Sequence, residues 1–226
     1  MSYKNDKFRR ARRDFSPYLF HFIKGADTEP LNTLQTILRD LKLKSKLGYI
    51  CFSASPLTSI TKFFETPVIK TGSPMYHPYG IGFLRDTMVS DYGARNVIYY
   101  SDDEEEMITD NLKWRSQLLN VDSYDFEYLR EWRIKGNEFC FKDFPKEDII
   151  IVAPNDTNQE GLALEFEIEF KPIVNYATGD IEPDWEEKLI RKWKGVSISD
   201  IKDCDDDFAM SALTNKQVIG QDLLAE

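Results

Sequence analysis

Apolar residues along the chain fall into short runs that predict strands rather than long helices. Three runs are almost continuously apolar: YLFHFI at residues 18–23, YICFS at 49–53 and IIIV at 149–152. That pattern indicates buried strands. Residues 164–170 instead alternate apolar side chains with glutamates, which is typical of a half-exposed strand. With the same signals elsewhere, strands are expected at 18–23, 49–53, 80–84, 97–100, 130–135, 149–152 and 164–170.

Helical spacing is clearest directly after the first strand. Leucines and one isoleucine recur three or four residues apart between positions 31 and 41, so one face of a helix should be buried. Asp27 or Thr28 can cap this helix, and Pro30 suits its first turn. Further helices are expected at 57–64, from a cap at Asp86 to about Gly93, at 102–119 with the acidic run 102–106 at its N-terminus, and at 184–193. A loop is expected at 66–78, which holds three prolines.

Strands and helices are interspersed along the chain, without an internal repeat or a second apolar core. This order predicts a single α+β domain flanked by short helices, spanning residues 16–195. A basic N-terminal arm, residues 1–15, precedes the domain, and an acidic segment, residues 196–226, follows it. A chain of 226 residues with 42% hydrophobic residues is long enough to bury such a core.

The charge balance argues against a general affinity for nucleic acid or anionic membranes. The chain carries a formal net charge of −10 at pH 7, which repels polyanions. The arm reverses this locally, because residues 4–13 hold six Lys and Arg residues against Asp6. Such an arm can contact phosphate groups or remain a solvated tail, and the sequence leaves both readings open.

The three cysteines, Cys51, Cys140 and Cys204, are far apart and form no C-x-x-C pair. That spacing favours neither a disulfide framework nor a zinc site, and we expect no metal centre. Cys51 and Cys140 lie in strand-like apolar runs and are expected to be core residues. No apolar h-region follows the basic residues, and no apolar run nears the length of about 20 residues that spans a bilayer. A cytoplasmic protein without membrane contact is expected.

Few side chains have the type and position that catalysis needs. His77 falls in the proline-containing loop, while His21 lies inside the first strand, as either a hydrogen-bonded core residue or a functional group. Glu131 begins a strand between Arg130 and Arg133. Those guanidinium groups would keep a carboxylate ionised and fixed, unless the pair is only a surface salt bridge. The chain lacks a G-x-S-x-G elbow and a P-loop, and YGIGF lacks the third glycine of a dinucleotide fingerprint.

Seven segments in a fixed order carry a resemblance to a known family. They are YLFHF, a helix with L-x-x-I-L, ICFSASPL, YGIGFLRD, a V-x-Y-Y strand, REWRI and EDIIIVAP. Over residues 18–154 this order resembles the AbiGi-type abortive-infection family of phage-resistance proteins. More distantly, it is similar to DarT-type and other NAD-dependent ADP-ribosyltransferases, which begin with a strand histidine and carry a glutamate on a late strand.

The resemblance implies a split, mostly antiparallel β core like that of the ADP-ribosyltransferase fold, with NAD as the substrate. Glu131 would be the catalytic carboxylate, which orients the ribose 2′-hydroxyl and stabilises an oxocarbenium-like transition state. His21 would hold the adenosine ribose, followed by Phe22 as a backbone binder. Ser53 would be the polar residue that ends the second strand.

Two further residues complete the NAD site that the resemblance implies. Tyr79, or a nearby tyrosine such as Tyr76, would stack on nicotinamide, and Arg85 would pair with the pyrophosphate. The strands that begin at residues 18, 49, 80 and 130 would meet around one cleft. One departure from the transferase pattern is that no R-S-E or E-x-E motif precedes Glu131.

Two functions from different classes follow. The first is a toxin or phage-defence effector that transfers ADP-ribose from NAD to a nucleic-acid or protein target, with an antitoxin or immunity protein as its partner. The second is a non-catalytic antitoxin or immunity-type protein that keeps the fold and binds another protein. Nuclease activity is disfavoured, because the only acidic clusters are the solvated runs at 102–106 and 203–207.

Overall fold

The computed structural model describes residues 16–66, 72–119, 127–174, 178 and 181–201. The strands in these ranges are β1 (Tyr18–Lys24), β2 (Lys42–Lys44), β3 (Tyr49–Ser53), β4 (Tyr76–Leu84), β5 (Arg95–Asn96), β6 (Ile98–Tyr100), β7 (Ser116–Leu118), β8 (Glu131–Lys135), β9 (Glu138–Cys140), β10 (Ile149–Ala153), β11 (Leu164–Val174), β12 (Ile181–Arg191) and β13 (Lys194–Ser197). The α-helices are α1 (Pro30–Asp40), α2 (Leu57–Ile60), α3 (Arg85–Ser90), α4 (Asp156–Ala163) and α5 (Ile198–Ile201). Short 3₁₀ helices lie at Thr61–Phe64, Asp102–Met107, Lys113–Arg115, Glu127–Leu129 and Lys146–Asp148.

Seven strands form one sheet, in the order β13-β10-β4-β1-β3-β8-β5. Its neighbouring strands are antiparallel, except that β10 and β13 run parallel. The pairs β2–β9, β6–β7 and β11–β12 lie outside this sheet. The described chain is therefore one body of mixed α and β structure, with a mostly antiparallel sheet and short helices. At that level the predicted fold class is confirmed.

Apolar side chains cover the seven-stranded sheet on both faces. On one face, Phe52 and Phe83 pack with Leu34 of α1 in the larger buried cluster. On the other face, Phe20 packs with Leu57 of α2 in the smaller cluster. The alternation of side chains along each strand supplies both clusters, and their burial is the main apolar contribution to stability.

The two glycines of the YGIGF segment serve this packing. A Cβ atom on Gly82 would lie 2.6 Å from Ile150 Cγ2 and 2.7 Å from Phe20 Cε1. One on Gly80 would lie 2.6 Å from Phe22 Cδ1. Only glycine lets these two phenylalanine rings lie against the backbone of β4, so the glycine spacing is explained by sheet packing.

The local apolar patterns predicted most elements correctly. The strands expected at 18–23, 49–53 and 149–152 and the helix after Pro30 are confirmed. Two details differ. Strand β4 begins within the expected loop, with Pro78 next to a register shift opposite β1, where proline is tolerated. Asp86 lies in the first turn of α3, and the N-cap position is Leu84.

Two expected helices are wrong. Residues 181–191, which include most of the expected helix at 184–193, form β12 and pair with β11 along eleven register positions. Residues 102–119 contain the 3₁₀ helices Asp102–Met107 and Lys113–Arg115 and then β7 instead of one amphipathic helix, and Met107 is 76% exposed. In both places, pairing with a strand elsewhere in the chain satisfies the backbone and overrides local spacing.

The expected domain boundary after residue 195 falls inside β13. Val196, Ile198 and Ile201 are buried, and β13 pairs with β10 in the central sheet. The described fold therefore continues to residue 201. The expected basic arm at 1–15 and the rest of the acidic segment, 202–226, lie outside the described residues.

None of the helices in the described ranges combines the length and the apolar character needed to cross a membrane.

Candidate functional site at the fork between β1 and β3

Strands β1 and β3 are neighbours in the sheet but pair at a single register position, Phe20 opposite Ser53. Each strand stays paired with its outer neighbour, β1 with β4 and β3 with β8. In the gap between them, Nδ1 of His21 lies 2.9 Å from the carbonyl oxygen of Cys51. A side-chain hydrogen bond replaces the backbone pairing there, and the two strands form a fork that is closed at Phe20 and Ser53.

A cavity of about 960 Å³ opens in this fork. Its walls come from β1, β3 and β8, from Tyr76 at the start of β4, from α1, and from a loop at residues 45–47. The volume lies at the upper end of the range for small-molecule sites, roughly 300–1,000 Å³. The strands that were expected to surround one cleft do contribute to it, although β4 does so through Tyr76 rather than through residues 80–84.

His21 and Glu131 both line this cavity, and they reach it from opposite faces of the sheet. Directly opposed residues of antiparallel strands share a face. Phe20, Ser53 and Glu131 therefore share one face, and His21 lies on the other. The His21 ring meets the ring of Phe52 edge-on, with centroids 5.9 Å apart. Because the cavity occupies the gap between the strands, it takes in side chains from both faces.

The surroundings of His21 keep its imidazole neutral. Burial lowers the pKa of His21, and the hydrogen bond to the Cys51 carbonyl only partly offsets that effect. A carbonyl oxygen can only accept, so Nδ1 carries the proton and Nε2 is left as an acceptor. A neutral imidazole with an acceptor nitrogen suits a hydroxyl group of a ligand better than an anion.

A buried arginine holds the carboxylate of Glu131. Arg133 Nε donates to Glu131 Oε1 at 2.8 Å, and the two side chains are only 3% and 10% exposed. This buried pair replaces the surface salt bridge that the sequence left open. The Cys51 thiol also hydrogen-bonds to this carboxylate. Arg133 therefore fixes one oxygen of Glu131, and the carboxylate lies in the wall of the cavity.

The other titratable side chains at this end of the cavity stay protonated at neutral pH. Burial and the nearby Glu131 carboxylate raise the pKa of the Cys51 thiol to about 12. Burial also raises the pKa of Tyr76, and the neighbouring Tyr128 and Glu131 add to that rise. Partial burial also raises the pKa of Tyr49. Glu131 thus faces the cavity among neutral phenol and thiol groups.

Ser53 and Ser55, the polar residues after the buried strand, tie down the segment that leads into β8. Ser53 Oγ donates to the Leu129 carbonyl at 2.8 Å, and Ser55 Oγ donates to the Tyr128 carbonyl. Ser53 lines the cavity, as expected, but its hydroxyl hydrogen is engaged by the backbone. These serines therefore hold the residues that directly precede Glu131 at the start of β8.

Of three other residues that were expected to bind the ligand, one lines the cavity and two do not. Phe22 lines the cavity and packs edge-on against Phe64, with centroids 5.2 Å apart. Tyr79 does not line the cavity but packs against the larger apolar cluster. Arg85 is also outside it: its guanidinium is buried, and Nη1 donates to the Ser16 carbonyl at 3.0 Å. Of the two tyrosines considered, Tyr76 is the one at the cavity.

Arg85 lies at the wrong end of the sheet for the role that was expected of it. It follows β4 at Leu84, which pairs with Tyr18 at the start of β1. The fork opens towards the other end of β1. A seven-residue strand at about 3.3 Å per residue spans roughly 20 Å, which separates Arg85 from the open end of the cavity.

Exposed lysines instead line the open end of the fork. They are Lys24 at the end of β1, Lys44 at the end of β2 and Lys46 in the loop before β3. The loop is held by Asn137, whose carbonyl accepts from Ser45 N at 2.8 Å and whose Oδ1 accepts from Gly48 N at 3.0 Å. No carboxylate in the described ranges forms an ion pair with these three lysines, and Asp27 and Glu138 also line the cavity.

Sequence reasoning missed several residues of the site. Cys51 was expected in the core, yet it lines the cavity, and Cys140 is exposed rather than buried. The register explains Cys51, because it lies opposite Arg133 on the same face of β3 and β8 as Glu131. The alternation E-W-R was the available signal for Arg133, since residues two apart on a strand share a face.

Neither a family model, nor a curated protein, nor a solved structure matches this chain. In the described ranges, no group of three or more His, Cys, Asp or Glu side chains is placed to hold a metal ion.

Proposed function

We propose that the protein is an ADP-ribosyltransferase-like effector that uses NAD as its substrate. One observation carries the proposal: a single large cavity, at a fork in a mostly antiparallel sheet, is lined by His21 and Glu131 from its two faces. Such a split core is what the resemblance to NAD-dependent ADP-ribosyltransferases implied, and likeness to that fold is part of the proposal.

In the proposed reaction, Glu131 acts on the ribose attached to nicotinamide. The bond between ribose C1′ and the nicotinamide nitrogen breaks, and its electron pair leaves with neutral nicotinamide. The Glu131 carboxylate accepts a hydrogen bond from the 2′-hydroxyl and stabilises the positive charge that develops on the ribose. An oxygen or nitrogen nucleophile of the target then bonds to C1′ and loses its proton to the solvent.

The remaining cavity residues fit the other parts of NAD by their chemistry. His21 Nε2 would accept a hydrogen bond from a hydroxyl of the adenosine ribose. Phe22 and Tyr76 offer aromatic faces to a nicotinamide or adenine ring. Lys24, with the lysines of the opposite wall, would take the place that Arg85 was expected to fill at the pyrophosphate. Ser53 contributes by positioning the start of β8.

We further propose that the target is a nucleic acid or a protein, and that the transferase acts in phage defence in the cytoplasm with an antitoxin or immunity partner. The experiment is incubation of the full chain with NAD labelled on the adenine and with cell lysate. Nicotinamide release is measured, and label is followed separately in the protein and nucleic-acid fractions. Label in one fraction identifies the target class.

Glu131→Gln keeps the size of the side chain and removes its charge, so it should lower nicotinamide release by about 10²-fold or more. The matched control is Glu147→Gln, which makes the same change at an exposed position near β10 and should retain wild-type activity. Wild-type protein that neither binds NAD nor releases nicotinamide in any lysate would overturn the proposal.

A non-catalytic binding protein is the second candidate. It is favoured because polar side chains of the site already form hydrogen bonds within the protein. Glu131 is already paired with Arg133, and the Ser53 hydroxyl is already bonded to Leu129. A fold that kept these contacts for stability alone would look the same. Purification of the chain in complex with a partner protein, without NAD turnover and with Glu131→Gln binding that partner normally, would favour this candidate.

A further inference from the structure

We propose that Arg133 is a positioning residue that fixes Glu131 for catalysis and makes the segment at residues 114–117 part of the active site. The inference depends on the proposed function for its kinetic test, but the contacts that carry it are independent of that function. Neither the local sequence nor the expected site assigned a role to Arg133 beyond charge beside Glu131.

The guanidinium of Arg133 uses four of its five N–H donors. Nε donates to Glu131 Oε1 at 2.8 Å. Nη1 donates to the Trp114 carbonyl at 3.3 Å and to the Ser116 carbonyl at 3.1 Å. Nη2 donates to Gln117 Oε1 at 2.9 Å. The planar group is therefore held on three sides, and its orientation is determined by the segment at 114–117.

Packing restrains the same side chain. Arg133 is 2% exposed, and its Cζ lies 4.0 Å from the centroid of the Tyr49 ring. A guanidinium over an aromatic face is favourable, and more so where water is excluded. Arg133 consequently has little freedom to turn, and the carboxylate that it holds has equally little.

The segment at 114–117 belongs to a different part of the fold from Glu131. Strand β7 pairs with β6 in a separate two-stranded unit, whereas β8 belongs to the seven-stranded sheet. Gln117 nevertheless lines the same cavity as Glu131. Arg133 joins the two units by side-chain hydrogen bonds, so the position of Glu131 Oε1 depends on where the segment at 114–117 lies.

Lysine cannot replace this arrangement. Its ammonium group is a compact point charge on a flexible stem and lacks the planar fork that reaches carboxylate, carbonyl and amide acceptors together. Arg133→Lys would keep a positive charge near Glu131 and lose the orientation. A displacement of a catalytic group by about 1 Å costs on the order of 10²-fold in rate.

The kinetic test is a double-mutant cycle in the full chain with NAD. We expect Arg133→Lys to lower kcat by about 10-fold to 10²-fold, with KM for NAD within about threefold of wild type. In the Glu131→Gln background, Arg133→Lys should cause no further loss, because a positioning residue acts only through the group it positions. An equal loss in both backgrounds, or an effect on KM alone, would overturn the proposal.

Gln117→Leu gives a second variant that keeps Arg133 and removes the acceptor of Nη2. We expect kcat to fall by about threefold to tenfold, less than in Arg133→Lys. Thermal unfolding of each variant serves as the control that it is folded. If Arg133→Lys does not fold, an unchanged kcat in Gln117→Leu overturns the proposal and a reduced one supports it.

A crystal structure of Arg133→Lys separates this proposal from the proposed function. Wild-type protein without NAD turnover would reject the transferase, and the structure of the variant would still test the positioning role. A Glu131 carboxylate that has left its wild-type place supports the positioning role, and one that has not moved overturns it.

Discussion

Ser53 and Glu131 lie directly opposite each other on β3 and β8, at the closed end of the fork. The same Ser53 is the one position where β3 pairs with β1. Glu131 is therefore placed at the bottom of the cavity by strand register, and the lysines lie at its mouth. A slip of one residue between β3 and β8 would turn Glu131 to the other face.

The close contacts of Gly82 lead to a prediction about stability. We expect Gly82→Ala to lower the free energy of unfolding by about 1–3 kcal/mol, because its Cβ would overlap Ile150 and Phe20. Gly161→Ala is the matched control: a Cβ there meets no atom within 4 Å, and alanine favours the helix. Urea denaturation of both variants measures the difference, and equal stabilities would contradict this account of the YGIGF segment.

The hydrogen bond of Ser53 gives a smaller expected effect. Ser53→Ala removes a buried donor to the Leu129 carbonyl, which still accepts from Ala54 N at 3.1 Å. The Leu129 carbonyl keeps one partner, but the Ser55 N–H loses the Ser53 Oγ that accepts from it at 3.3 Å. The loss should therefore be about 1–2 kcal/mol. Ser90→Ala, at an exposed serine with a 3.5 Å hydrogen bond, should change the unfolding free energy by less than about 0.5 kcal/mol. A larger loss at Ser90 than at Ser53 would reject the structural role of Ser53.

His21 should make stability depend on pH. Its pKa is lowered from 6.5 in the fold, so the unfolded chain binds more protons than the folded chain as pH falls below that value. The folded state therefore loses stability as the pH falls from about 7 to 5. His21→Gln removes this dependence, so its unfolding free energy should fall less over that interval than that of wild type. Urea denaturation of both proteins at pH 7 and pH 5 measures the change in unfolding free energy between these pH values. The same change in both proteins would count against a buried neutral His21.

Cys51 should react slowly with thiol reagents. With a pKa of about 12, almost none of its thiol is ionised at pH 8, and the thiolate is the reactive form. Cys140, which is exposed, is the internal comparison. Peptide mapping by mass spectrometry after a brief iodoacetamide treatment should find Cys51 modified at least about 10-fold more slowly than Cys140. Equal rates at the two cysteines would show that Cys51 is not buried beside Glu131.

Several elements could be predicted because their information is local. The apolar runs of β1, β3 and β10 and the leucine spacing of α1 each identify an element without reference to the rest of the chain. Strand β12 could not be predicted in this way. Its polar sequence forms a strand because β11 supplies eleven paired positions, and that pairing is tertiary information.

The same distinction applies to the site. The sequence by itself determined that Glu131 and Arg133 share a face of a strand, since residues two apart on a strand do so. It also determined that a histidine interrupts an apolar strand. Only the tertiary structure decided that β1 and β3 separate after one pair, and that His21 and Glu131 therefore line one cavity. The same reason places Tyr76 at the cavity and Arg85 away from it. An extended strand carries residues nine positions apart to opposite ends of the sheet, and only strand register decides which end holds the fork.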